Sequence, residues 1–124
     1  MSAEQMLIAG QWVDSENGET ADILNPANGE VIATTPKATL ADVERCVTAS
    51  RAAFNNPEWK NIDPAQRGRI LNKMAAATYA NAKTLAVLES TNNGKTFREA
   101  LSEIRFGAWT LEYFAGLADK NEGS

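Results

Sequence analysis

Three groups of residues in this 124-residue chain are of types that do chemistry: the Gly94-Lys95-Thr96 triplet, the single Cys46, and the carboxylates Glu89, Glu99, Glu103 and Glu112. Gly-Lys-Thr is how a phosphate-binding loop ends. Such a loop needs an earlier glycine five residues upstream, a buried strand leading in, and a helix that starts at the Lys-Thr pair. Glu89 stands in the earlier glycine's place, where a carboxylate repels phosphate, and the approach NAKTLAVLE has helical spacing. The segment therefore reads as a helix end, with Gly94 in the left-handed conformation that glycine adopts cheaply. A nucleophilic Cys46 would need a helix N-terminus or nearby cations to lower its pKa. It falls mid-helix beside Val47, with Arg45 alongside, which is the place of a small core residue. A general acid and base must converge on one pocket, and the glutamate spacing does not bring two together. Glu99 and Glu103 lie one turn apart on a face read as solvated. Trp12, Trp59 and Trp109 are far apart in sequence and read as core or interface packing. Taken alone, these residues define no active site.

The length suits one core and a single domain over 1–124. With 44% hydrophobic and 23% charged residues the chain has a globular balance. A net charge of −4 and a pI near 4.8 argue against nucleic-acid or anionic-membrane surfaces. One cysteine and no histidine exclude an internal disulfide, a Cys/His zinc site and imidazole catalysis. MSAEQMLIAG lacks the basic-then-apolar pattern of a signal peptide, and no apolar run approaches the ~20 residues that span a bilayer. A cytoplasmic location is expected.

The elements that must position these residues are short strands over 1–36 and helices over 39–118. LIAGQWV predicts a tight hairpin with Gly10 at the first central position of the turn. In ADILNPANGEVIATTP two apolar runs flank an Asn-Pro-Ala-Asn-Gly turn. Thr39 and Asp42 form a weak capping box for a helix whose Leu40, Val43, Val47, Ser50 and Phe54 share a face. Asp63-Pro64-Ala65-Gln66 opens another helix, lined by Ile70, Met74 and Ala77. Asn81 either caps a further helix or sits in one kinked helix running through. From Phe97, the residues Leu101, Ile104, Ala108, Leu111, Ala115 and Ala118 continue one apolar stripe, while Phe106, Trp109, Tyr113 and Leu117 make a second. A helix apolar on two sides is normally covered on both. The preceding helices suit one side; the hairpins are one candidate for the other.

Five segments in order, ILNPANGEVIATTP, DVERCVTASRAAF, WKNIDPAQRGRILNKMA, LESTNNGKT and YFAGLADKNEG, resemble the N-terminal part of the aldehyde dehydrogenase superfamily. The resemblance runs from about Leu7 to the C-terminus. It implies an α/β parent fold with a Rossmann-like cofactor domain, of which this chain is the opening portion: short β-hairpins, then three or four α-helices. It also implies a parent oxidoreductase that converts aldehydes to carboxylic acids with NAD or NADP. In that family a cysteine thiolate forms a thiohemiacetal, hydride passes to nicotinamide, and a glutamate activates water. All of these groups lie downstream of this sequence, and Cys46 matches no catalytic motif. The chain alone is expected to be an inactive fragment or truncated product that binds no cofactor. The alternative is a stand-alone helical interaction module that docks on, or complements, a full-length dehydrogenase.

The resemblance carries over one site in part. Some members hold a monovalent cation between backbone carbonyls matching Ile23 and Leu24 and a carboxylate matching Asn92. Here the amide of Asn92 replaces that charge, which weakens a sodium or potassium site. A plain helix end without an ion is the favoured reading. The expected partners are a second copy or the remainder of a dehydrogenase, met through the 97–118 helix.

Overall fold

The computed structural model describes residues 2–120. The chain divides into two compact units, residues 1–61 and 62–124. The first runs β1 (Ser2–Ala3), β2 (Met6–Ile8), β3 (Gln11–Val13), β4 (Thr20–Leu24), β5 (Val31–Pro36), α1 (Leu40–Asn55) and the single turn α2 (Pro57–Lys60). The second is helical: α3 (Pro64–Ala80), α4 (Ala82–Asn93) and α5 (Phe97–Leu117).

In the first unit β2 and β3 pair antiparallel with Ile8 opposite Gln11. The turn is therefore Ala9-Gly10, and glycine takes its second central position rather than the first. Both residues have positive φ, 53° and 78°, as in the mirror-image turns whose twist matches that of the strands they join. β4 and β5 also pair antiparallel, and β1 adds in parallel on the other side of β5 to give the order β1-β5-β4. The intervening Asn-Pro turn is closed by Gly29 N–H donating to the Asn25 carbonyl at 2.8 Å and by Ala27 N–H donating to Asn25 Oδ1 at 3.0 Å. The register shifts between Ile23 and Leu24: Ile23 faces Ala33 and Leu24 faces Val31, leaving Ile32 without an opposite residue, as in a bulge.

α1 starts at a complete capping box between Thr39 and Asp42. Its Leu40, Val43, Val47 and Phe54 are exposed, Val47 by 63%, so the face expected to be apolar and inward is uncovered. Half-buried Ala41 and Ala49, with fully buried Asp42, are its enclosed positions instead. Asp42 is held on that enclosed side by the polar contacts described below.

In the second unit α5 packs against both α3 and α4. Asp63 accepts from the N–H groups of Ala65 and Gln66, and Pro64 takes the first helical position of α3, as its start signal predicts. The buried side of α3 carries Gly68 and Ala75, with Leu71 and Thr78 half-buried; Met74 and Ala77 are exposed. The inward stripe is thus offset from the one the large apolar residues suggest. Close approach explains it. A Cβ on Gly68 would lie 2.7 Å from the carbonyl oxygen of Ala115, so only a residue without one lets the two backbones come this near. Ala75, Ala86, Ala100 and Ala108 are all fully enclosed, and small residues thus take the deepest positions of the three helices, with Ile70, Leu71, Leu85, Leu101, Ile104 and Leu111 half-buried.

α3 and α4 are separate helices meeting at Asn81. Asn81 does not cap the start of α4; its Nδ2 donates back to the Ala77 carbonyl at 2.8 Å and so closes the end of α3.

Candidate functional site

The Gly94-Lys95-Thr96 triplet joins α4 to α5. Gly94 is left-handed, φ 82°, and its N–H donates to the Ser90 carbonyl at 3.0 Å. Lys95 N–H donates to Asn93 Oδ1 at 3.0 Å, and Thr96 N–H to Glu99 Oε2 at 3.3 Å. Ser90 Oγ donates to the Lys95 carbonyl at 2.7 Å. All three amides that a phosphate would need are thus committed inside the turn. The lysine is committed too. Its Nζ lies 3.0 Å from Glu89 Oε1 and makes a second ion pair with Glu103. Hydrogen bonds to Glu103 and then to Glu89 raise its pKa. A helix leads into the turn where a strand would be needed. The triplet does not fit the phosphates of a dinucleotide.

The Glu89–Lys95–Glu103 cluster was not legible from periodicity, because the chain reverses at Gly94 between its members. The only sequence signal for it is that reversal, which brings the end of one helix beside the start of the next.

Cys46 is exposed, not a core residue. It edges a shallow open depression with Val47, Ser50, Arg51 and Phe54. Neither nearby guanidinium is turned to it: Arg45 pairs with Asp42, and Arg51 lies over the Phe54 ring at 5.8 Å from the centroid. An exposed mid-helix thiol without an activating partner is not arranged as a nucleophile.

Asp42 is the most enclosed polar side chain described, 1% exposed. Oδ2 accepts from Thr39 N–H at 2.8 Å and Glu16 N–H at 3.2 Å, and Oδ1 accepts from Arg45. Foremost the Thr39 amide, and then Arg45 and the Glu16 amide, act against desolvation and hold its carboxyl down at about 2. The Thr39–Asp42 spacing revealed the cap but not the link to Glu16, which lies 26 residues away in sequence.

Ile23 and Leu24 end β4 at the bulge, in the first unit. Asn92 is exposed in the last turn of α4, in the second. Among the described residues no three His, Cys, Asp or Glu side chains gather into a metal site.

None of the three tryptophans is buried: Trp12, Trp59 and Trp109 are all exposed. On α5 the first stripe faces inward through buried Ala108 and Ala115 and half-buried Leu101, Ile104, Leu111 and Ala118, whereas Phe97 at its start is exposed and Ala100, outside the stripe, is buried. The second lies open. Phe106 and Trp109 have ring centroids 5.6 Å apart, Trp109 and Tyr113 5.9 Å, and Tyr113 and Phe114 5.4 Å in an edge-on contact. Phe114 extends the row beyond the residues that spacing alone selects.

The sequence model of the aldehyde dehydrogenase family matches residues 12–124. The chain belongs to the aldehyde dehydrogenase family. Among curated relatives, (Z)-2-((N-methylformamido)methylene)-5-hydroxybutyrolactone dehydrogenase of Acinetobacter baylyi is 40% identical over 124 residues, covering 100% of this chain and 25% of its own length. Cytosolic 10-formyltetrahydrofolate dehydrogenase of Xenopus tropicalis is 38% identical over 97% of this chain and 13% of its own length. The NAD-dependent aldehyde dehydrogenase of Sinorhizobium meliloti superposes with a TM-score of 0.93 at 38% identity, over 98% of this chain and 24% of that one. Betaine aldehyde dehydrogenase of Staphylococcus aureus, solved in complex with NAD+, gives the same TM-score, identity and coverage. The fold is therefore the opening portion of the α/β aldehyde dehydrogenase fold, and the chain spans 13–25% of the length of these relatives. No helix among the described residues is long and apolar enough to cross a membrane.

Proposed function

We propose that this chain is a fragment of an NAD(P)-dependent aldehyde dehydrogenase: it contributes the opening portion of the cofactor domain and oxidises no aldehyde by itself. The observation that carries this is the pairing of a family match over residues 12–124, at 13–25% of the relatives' length, with described residues that hold neither an activated thiol nor a phosphate cradle. The parent reaction is oxidation of an aldehyde to a carboxylic acid, in the cytoplasm. The test is NADH or NADPH production by the purified chain with aliphatic and aromatic aldehydes. The expected result is none, because thiolate, base and oxyanion donor must act together. Steady production that disappears on Cys46→Ala would overturn the reading.

A second reading, a module that docks on or complements a longer dehydrogenase, is favoured by the open aromatic row of α5. On either reading α5 is the association surface, for a second copy or for the remainder of a dehydrogenase. For Ile23, Leu24 and Asn92 the favoured reading is a plain helix end without an ion, and a weakened sodium or potassium site is the alternative, tested by restoring the charge. Asn92→Asp restores the charge and should make the melting temperature higher in sodium or potassium chloride than in choline chloride at equal ionic strength. Identical melting in all three salts, for parent and variant alike, removes the site.

A further inference from the structure

The segment between β3 and β4 is braced from within. Gly18 N–H donates to the Ser15 carbonyl at 3.0 Å, and Glu19 N–H donates to Asn17 Oδ1 at 3.0 Å. Ser15 is buried, and its Oγ lies 2.9 Å from Asn17 Oδ1 and 3.2 Å from the Glu19 carbonyl. That carbonyl also accepts from Lys37 N–H at 2.8 Å, which anchors the segment just beyond β5. None of these bonds involves α1.

The ties to α1 are of another kind, and both come from Glu16. Its N–H donates to Asp42 Oδ2 at 3.2 Å, the same oxygen that accepts from Thr39 N–H. Thr39 Oγ1 lies 3.0 Å from Asp42 Oδ2 and 3.2 Å from Glu16 Oε2, and its one proton serves one of them at a time. Arg45 is the cation at this point, paired with Asp42, while Glu16 adds a second carboxylate. The closure thus shares one oxygen between two amides and one hydroxyl proton between two acids. The bonds inside the segment do not depend on it.

We propose that residues 15–19 form a strap latched by Asp42, which lifts off the start of α1 as a preformed unit while the sheet and the helix stay folded. The internal bonds survive the opening, so it is a local event that exposes little surface. Asp42 passes from 1% exposure into water, where hydration of the carboxylate offsets the lost bond from Glu16. Its two roles then separate: with Thr39 it caps the helix, and with Glu16 it holds the strap down. Simple fraying of the segment differs, because it would also release Gly18 and Glu19 from Ser15 and Asn17.

The test is amide hydrogen exchange of the full chain, followed residue by residue by NMR in increasing low concentrations of urea. In the parent, Glu16 should exchange faster than Gly18, Glu19 and the bonded amides of β4 and β5. Its rate should stay flat with urea while the rates in β4 and β5 rise, since the urea dependence scales with the surface exposed. Asp42→Asn keeps an acceptor and removes the charge; it should speed Glu16 about tenfold and leave Gly18 and Glu19 unchanged. Acceleration of all three together would mean that the segment melts and does not lift. No change at Glu16 would mean that Asp42 is not the latch. Either result overturns the proposal. If the variant does not fold, the parent decides alone: a Glu16 rate that climbs with urea in step with β4 and β5 leaves no opening short of unfolding, and the strap is abandoned.

Discussion

In the unit of residues 1–61 the most enclosed side chain is the carboxylate of Asp42; in residues 62–124 that place is taken by alanines and Gly68. The first unit has short strands with little apolar area to share, and directional bonds from Thr39, Glu16 and Arg45 to one carboxylate join its loop to its helix. The second has three helices close enough that a missing Cβ decides the fit. The two should therefore fail for different reasons. One is sensitive to charge and so to pH, the other to volume.

The largest expected effect is in the helical unit. Gly68→Val forces a branched side chain onto the Ala115 carbonyl, a backbone atom that cannot rotate away, and should cost about 3 kcal/mol. Gly107→Ala is the matched control: it is also helical, its Cβ would meet nothing within 4 Å, and it should stabilise by about 0.5–1 kcal/mol through helix propensity. Urea unfolding of both variants checks the pair. Equal effects would show that close approach at Gly68 is not what the seam depends on.

Next comes Asp42→Asn. The carboxyl's pKa is lowered in the folded chain from 3.8 to about 2, so its contribution is fully present above the higher value and is lost as pH falls through the lower. The parent's melting temperature should drop between about pH 4 and pH 2. The variant should melt lower than the parent at pH 7 and change less across that acid window. Parallel curves for the two proteins would sever the link between this carboxylate and acid stability.

The smallest effect is Thr96→Ala, which removes the capping box at the start of α5. It should cost about 1 kcal/mol, measured by thermal unfolding, and should leave the pH profile unchanged. This places it with the volume-sensitive unit even though it alters a polar group.

Much of this was legible in the residues, and the misses share a cause. Thr39 and Asp63 mark helix starts through local hydrogen bonds, and Gly94 marks an end through one dihedral; such signals need no distant partner, and the Thr96–Glu99 box is a signal of the same kind that went unread in the sequence. The turn at Ala9-Gly10 was displaced by one residue because strand twist, not glycine alone, selects its type. On α1, and on α3 apart from half-buried Ile70, size is a poor sign of burial. Val47 and Met74 are exposed while Asp42 and Gly68 are enclosed, because a buried position here is one where another backbone or a loop amide comes close. The Lys95 cluster and the Glu16–Asp42 link depend on chain reversals that periodicity does not encode. The candidate site was legible mainly as what it is not: Glu89 in place of a glycine already argued against a phosphate loop.

The turns also govern how the chain ages. It contains three Asn-Gly pairs, at 17–18, 28–29 and 93–94, the dipeptide most prone to lose ammonia as the glycine nitrogen attacks the asparagine side chain and closes a succinimide ring. In each pair that nitrogen already donates to an upstream carbonyl: Gly18 to Ser15 at 3.0 Å, Gly29 to Asn25 at 2.8 Å and Gly94 to Ser90 at 3.0 Å. The asparagine carboxamides are held as well, each accepting from a backbone N–H just beyond its glycine. Ring closure must break both attachments. The same bonds that bend the chain therefore act as a chemical preservative, and peptide mapping after storage should find isoaspartate accumulating faster in denaturant than in the folded protein.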